Sequence, residues 1–213
     1  MFSVDLYFSF RSPYSYLILP RILELRDKYG VEINFKLVYP LAIRNPEFFK
    51  SKNFFTYFLP RTFDYFSQAK KLGMKFRAPK PDPINQSLLT GKISDHQPYI
   101  FYICHVCQMI CKKNLGLDFA YEVSKLIFGG VKNWNKDEQL AIITSKFGVD
   151  FYELKNDTEL NEKEIVKEIK KNQEEQILAG HHGVPMTVYK GKFFFGQDRF
   201  NDLMTELRIN GLK

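Results

Sequence analysis

Between Ser3 and Phe10 apolar side chains occupy every second position, Val4, Leu6, Phe8 and Phe10, among β-favouring neighbours. That alternation predicts a strand with one buried face. From Pro13 to about Tyr29 the spacing changes: Tyr16, Leu17, Leu19, Ile22, Leu23 and Leu25 recur at helical intervals, and Gly30 closes the segment. Pro20 lies inside this helix and predicts a bend. A second strand is read at 31–39, VEINFKLVY, so the chain opens as a β-α-β unit with parallel strands. Residues 40 to about 178 read as mostly helical. Helices are expected at 55–73 (interrupted by Pro60, ended by Gly73), 96–114, 118–128, 137–148 and 161–180, with a proline-rich loop at 77–86. The tail then changes period again. Residues 186–196 predict a β-hairpin turning at Lys190-Gly191, and 197–209 an amphipathic helix with Phe200, Leu203 and Leu207 on one face.

The order β-α-β, helical block, β-β-α describes an α/β thioredoxin-like frame split by a large all-helical insertion. Residues 1–40 with 179–213 are expected to form the thioredoxin-like domain, and 41–178 the helical insertion with its connecting helix. A chain of 213 residues can bury a core of that size.

Composition changes the picture in two places. The aromatic share is high, 16% with 21 Phe, which fits an aromatic core or an apolar pocket for a flat ligand. The net charge of +7 would suit attraction of anions. The lysines are scattered through mixed-sign runs such as NEKEIVKEIKKNQEEQ, however, which read as solvated helix faces and argue against nucleic-acid binding. No apolar run is long enough to span a bilayer, and the first residues lack the pattern of a secretory signal, so no membrane association is expected. Three cysteines give no disulfide framework, and a reducing, cytoplasmic setting is expected.

Three short stretches carry candidate chemistry. Ser12-Pro13-Tyr14-Ser15 opens the first helix. Ser12 fits its N-cap and Pro13 its first position, a role that is complete as a cap. The same geometry also sets a hydroxyl donor beside the positive end of a helix, where an anion is stabilised. Serine cannot form a disulfide, so thiol–disulfide exchange at this corner is excluded and any thiol must come from a ligand. Gly183-Val184-Pro185-Met186 precedes a strand. Val184-Pro185 is either a plain strand start or a cis peptide whose neighbouring backbone groups pair with a ligand peptide. Gly196-Gln197-Asp198-Arg199 sits between hairpin and last helix. It is either an acidic first turn with a solvated arginine, or a clamp in which helix-start amides and Gln197 take a carboxylate and Asp198 an ammonium.

Two further groups are read as structural. Cys104, Cys107 and Cys111 fall on the helix stripe that bears Ile100, Ile103 and Ile110, so burial as small hydrophobes is expected and no metal. His181 and His182, being adjacent, are expected to point to opposite sides, with His182 a candidate acid–base group near the pocket.

With these stretches placed, the sequence resembles the kappa-class glutathione transferases and the 2-hydroxychromene-2-carboxylate isomerases, a branch of the DsbA-like thioredoxin superfamily. YFSFRSPYSYL, YFSQAKKLGMKFRAP and AGHHGVPMTVYKGKFFFGQDRF carry the likeness, which runs over essentially the whole chain. The resemblance implies glutathione as cofactor and a small aromatic electrophile as substrate. It also implies a homodimer, as is common among those relatives. It further implies that Ser12 holds the glutathione thiolate, with Pro13 and Tyr14 alongside. Val184, before Pro185, would pair its backbone with the cysteinyl unit, and Gln197 and Asp198 would hold the γ-glutamyl end. Asn45, in RNPEFF, matches a family asparagine near glutathione, and Lys52 is the candidate for a family lysine. Arg11 and His181-His182 depart from the usual residues and would border the electrophile's pocket.

The implied activity is isomerisation of the 2-hydroxychromene-2-carboxylate type, with conjugation by a kappa-type transferase as the alternative. A dithiol oxidoreductase of DsbA type would need a redox cysteine where Ser12 and Ser15 stand. A non-catalytic binding protein on the same frame would keep the corner without turnover.

Overall fold

The chain is described from a computed structural model covering residues 1–50, 54–87 and 92–213, with the side chains of 49, 50, 54 and 55 left aside. Lys52 therefore lies outside the described residues. A mixed four-stranded sheet forms the base, in the order β2-β1-β3-β4. Its strands are β1 (Ser3–Phe8), β2 (Glu32–Leu37), β3 (Met186–Tyr189) and β4 (Lys192–Phe195). β1 pairs parallel with β2, antiparallel with β3, and β3 pairs antiparallel with β4.

The alternation in β1 works as the pattern requires: Val4, Leu6 and Phe8 are fully buried in the main core, while Tyr7 packs with Val38 and Met186 on the opposite face. The strand stops at Phe8, and Ser9 and Phe10 leave the ladder toward the next helix, although both stay buried. Lys190 and Gly191, at φ 48° and 76°, make the hairpin turn between β3 and β4, a left-handed pair of the kind a two-residue hairpin loop needs.

α1 (Pro13–Asp27) runs through Pro20 and connects β1 to β2. Two four-residue helical turns follow, α2 (Leu41–Arg44) and α3 (Glu47–Lys50), then a π-helical turn (Phe54–Phe58) and α4 (Leu59–Lys71). Pro60 does not interrupt this helix. It sits in the first turn of α4, where its missing N–H costs nothing. The insertion continues with α5 (Ile100–Cys111), α6 (Gly116–Gly129), α7 (Asp137–Ser145), α8 (Phe151–Leu160) and α9 (Glu162–Leu178). α8 is absent from the segments expected from sequence. Its signal is Asp150 with Glu153 three residues on: the Asp150 carboxylate accepts the Glu153 N–H at 2.8 Å. A three-residue 3₁₀ turn (Gln197–Arg199) leads into α10 (Phe200–Ile209), whose Phe200, Leu203 and Leu207 are buried.

One main core joins sheet and insertion, holding residues of β1, α1, α5, α6, α9 and α10 together. Cys104 and Cys107 are fully buried within it and Cys111 half-buried, as small hydrophobes on the α5 stripe. The sheet is the α/β thioredoxin-like frame, and the helices between β2 and β3 are its insertion.

Candidate active site

Strand register alone gathers the three candidate stretches. Tyr7 pairs with Met186, so the end of β1 lies beside the beginning of β3, and Met186 pairs with Phe195, which brings the end of β4 to the same place. The segment after β1, the residues before β3 and the residues after β4 therefore all emerge at one edge. β2, parallel to β1, delivers α2 and Asn45 to that edge too.

Ser12 is the N-cap of α1, extended at φ −92° and ψ 112°, and its Oγ accepts the Ser15 N–H at 3.2 Å. The same hydroxyl donates to the Val184 carbonyl at 3.3 Å, across 172 positions of sequence. The Val184–Pro185 peptide is cis. Directly behind it, the Gly196 N–H donates to the Pro185 carbonyl at 2.9 Å and ties the third stretch to the second. Ser15 is fully buried, and its hydroxyl finds no partner among the described residues.

A polar chain runs along one side of this corner. The Tyr14 hydroxyl donates to the Asp64 carboxylate of α4 in a short hydrogen bond. Burial and that carboxylate push the phenol's pKa well above its ordinary value, so it stays protonated at neutral pH. Gln68 Nε2 donates to Asp64 at 3.2 Å, and Gln197 Nε2 donates to Gln68 at 3.4 Å. Gln197 Oε1 accepts from Arg21 at 2.5 Å. Gln197 is buried, 5% exposed, so both ends of its amide are committed inside the protein. Burial lowers the pKa of Arg21 against the opposing pull of Asp198, and Arg21 stacks over the Phe200 ring at 5.0 Å. Asp198 is exposed.

The remaining expected residues ring this edge. Arg11 forks onto Asp82 at 3.3 and 3.4 Å and reaches Gln86, fastening the proline-rich loop beside the corner. Asn45 is exposed, and its Oδ1 accepts the Phe48 N–H at 3.2 Å. The histidines correct one expectation: they do not point to opposite sides. Their rings stack at 5.1 Å and 5°, because His181 is held by its Nδ1 to the Gly183 N–H and lies against Phe195. His182 is exposed, and its carbonyl accepts from Arg44.

Arg21, Asp64, Gln68 and Arg44 were not read from the sequence as site residues. Arg21 carries a visible signal, a cation at helical spacing from Leu17, Ile18 and Leu25 on an otherwise apolar face. Asp64 and Gln68 form an i, i+4 pair that looks like any solvated helix face until α4 is packed beside α1.

A four-stranded β2-β1-β3-β4 sheet, a helix starting at the end of β1 and a cis proline opposite it define a thioredoxin-class protein. Residues 102–208 match the family model of the DSBA-like thioredoxin domain, and the chain belongs to that family. No curated protein matches the sequence. Among solved structures, the chain is similar to a 2-hydroxychromene-2-carboxylate isomerase at TM-score 0.73 and 17% identity, covering 96% of this chain and 94% of that one. It is similar to a probable DsbA oxidoreductase from Streptomyces coelicolor at TM-score 0.63 and 16% identity, covering 97% and 89%. It is also similar to the cytosolic disulfide reductase DsbM from Pseudomonas aeruginosa, solved with GSH, at TM-score 0.61 and 10% identity, covering 97% and 99%. Among the described residues, no helix is long and apolar enough to cross a membrane.

Proposed function

We propose that the chain is a glutathione-dependent enzyme of the 2-hydroxychromene-2-carboxylate isomerase type, acting on a small aromatic electrophile at the Ser12 corner. One observation carries the reading: a hydroxyl at the start of α1 faces the carbonyl that precedes a cis proline, with no cysteine in either stretch. That arrangement fits a peptide guest that brings its own thiol. The likeness in fold to the isomerase and to a reductase solved with GSH supports this choice of guest.

Bound glutathione would supply a thiolate that adds to a conjugated carbon of the electrophile, the new C–S bond breaking again in an isomerase and persisting in a transferase. The chain's own task is to favour the charged sulfur and hold it in place. Lowering a thiol pKa by two units from ~8.5 needs about 2.7 kcal/mol of preference for the anion. A hydrogen bond to a charged group contributes about 1.5–3 kcal/mol, and a helix N-terminus about 0.3–1 kcal/mol more. Together they reach the requirement. Ser12 would turn its proton from the Val184 carbonyl to the sulfur while the Ser15 N–H keeps its oxygen oriented. The released Val184 backbone would pair with the cysteinyl unit, with Pro13 and Tyr14 alongside. Gln197 and Asp198 would take the γ-glutamyl end, Asp198 through its exposed carboxylate and Gln197 through its backbone, since its side chain is committed to Arg21 and Gln68. Asn45 would flank the guest, and Arg11 and His182 would border the electrophile.

The test is an ultraviolet titration of bound thiolate in wild type and Ser12→Ala. Loss of the hydroxyl is expected to raise the apparent thiol pKa by about one to two units. An unchanged curve removes Ser12 from this role. Turnover of hydroxychromene carboxylate, run beside a conjugation substrate, then separates isomerase from kappa-type transferase.

A further inference from the structure

A cation of unusual standing lies beside the corner and takes no part in the proposed chemistry. Arg44, at the end of α2, donates from Nε to the Tyr39 carbonyl at 2.7 Å, from one terminal nitrogen to Gln176 Oε1 at 3.2 Å, and from the other to the His182 carbonyl at 2.8 Å. All three acceptors are neutral. Burial lowers its pKa to about 10, and no carboxylate among the described residues pairs with it. A guanidinium carries five N–H donors, so two hydrogens remain after these three bonds. Holding a charge away from water without a counter-charge is unfavourable, and proteins ordinarily pair such groups.

The residue that carries this charge also borders a space. Arg44 lines a cavity of about 630 Å³ between α2, the C-terminal half of α9 and the loop at Gly180–His182. That volume falls in the range of small-molecule sites. Lys170 adds a second cation, and the lining holds one carboxylate, the exposed Glu174. Asn45 contributes an amide, while Leu41 and Ile177 give an apolar wall. Ser12 and Pro185 do not line this space, but Asn45 and His182 do, so it adjoins the thiol corner and shares those two residues with it.

We infer that the Arg44 cavity is a second ligand site, for a small organic carboxylate. The remaining guanidinium hydrogens and the Lys170 ammonium bind the carboxylate, and the short apolar body lies against Leu41 and Ile177. The wall selects an organic anion over a bare inorganic one. Because Asn45 and His182 border both this cavity and the proposed glutathione corner, binding is tested in the absence of glutathione.

Amide NMR of the full chain tests it, with butyrate, its neutral counterpart butyramide, and inorganic phosphate as probes. Butyrate is expected to shift Asn45, Gly180 and His182 saturably, and butyramide not at all. Lys170→Glu, at an exposed position, is expected to weaken butyrate roughly tenfold, about the loss of one charge-assisted contact. Arg44→Lys keeps the charge but loses the fork and is expected to weaken it at least as much, while unshifted peaks elsewhere show that the variant is folded. Equal shifts from butyramide, shifts away from the cavity, or unchanged affinity in Lys170→Glu would overturn the assignment. Tighter binding of phosphate than of butyrate would overturn the organic class.

Discussion

Replacing Ser12 by Ala removes two bonds from the apo protein and, on the proposed function, a third from the complex. The cap bond to the Ser15 N–H is worth about 1 kcal/mol, the usual loss when an N-cap serine becomes alanine. The bond to the Val184 carbonyl is long, 3.3 Å, and half-buried, so about 0.5 kcal/mol is expected from it. A total near 1.5 kcal/mol corresponds to a melting temperature lower by about 3–6 °C for a chain of this size. Glutathione then separates the structural from the binding role. At a concentration one hundred times its Kd, a ligand stabilises wild type by about 2.7 kcal/mol. If the hydroxyl strengthens binding tenfold, the same concentration stabilises Ser12→Ala by only about 1.4 kcal/mol. The assay is urea unfolding of both proteins with and without glutathione. Wild-type stability in apo Ser12→Ala would refute the cap argument. An equal gain from glutathione in both would refute the ligand argument.

Ser15→Ala should be neutral or stabilising by up to about 1 kcal/mol, since it deletes a buried hydroxyl that finds no partner, and thermal unfolding checks the sign. Gln68→Leu cuts the polar chain between Asp64 and Gln197, so calorimetry should show weaker glutathione binding while the bound thiol's pKa stays where it is. An equal affinity would separate that chain from the site. His105 is buried against Tyr39, with Nε2 2.8 Å from the hydroxyl, and burial holds its pKa below the ordinary 6.5 despite Glu162. The unfolded chain therefore binds the proton first. This contribution to stability is present above pH 6.5 and is lost as the pH falls toward the folded value. Urea unfolding of His105→Gln should show a flatter decline between about pH 7 and pH 5 than wild type.

The frame was readable because period carries it. Alternation at Val4, Leu6 and Phe8 and helical spacing in α1 each report a buried face, and the Lys190-Gly191 turn is local chemistry. Ser12 was readable for a similar reason, since a cap and its following proline are adjacent in sequence. The meeting of Ser12 with Val184 could only be inferred through resemblance, because strand register decides it. The polar chain from Tyr14 to Arg21 was not readable at all. Its members come from α1, α4 and the turn after β4, and nothing in a single sequence says which polar side chains on different helices will face one another. The histidine pair failed for a third reason. Adjacent residues diverge in regular structure, but the Gly180–Gly183 loop is irregular, and the hydrogen bond from the Gly183 N–H turns His181 parallel to its neighbour.

The central claim is that the reactive sulfur arrives with the guest and rests where the chain offers an alcohol. A crystal structure of the complex with glutathione tests it most directly. The account predicts the sulfur within hydrogen-bonding distance of Ser12 Oγ, and the cysteinyl backbone paired with Val184. A well-ordered tripeptide lying elsewhere, with its sulfur remote from both residues, would contradict it.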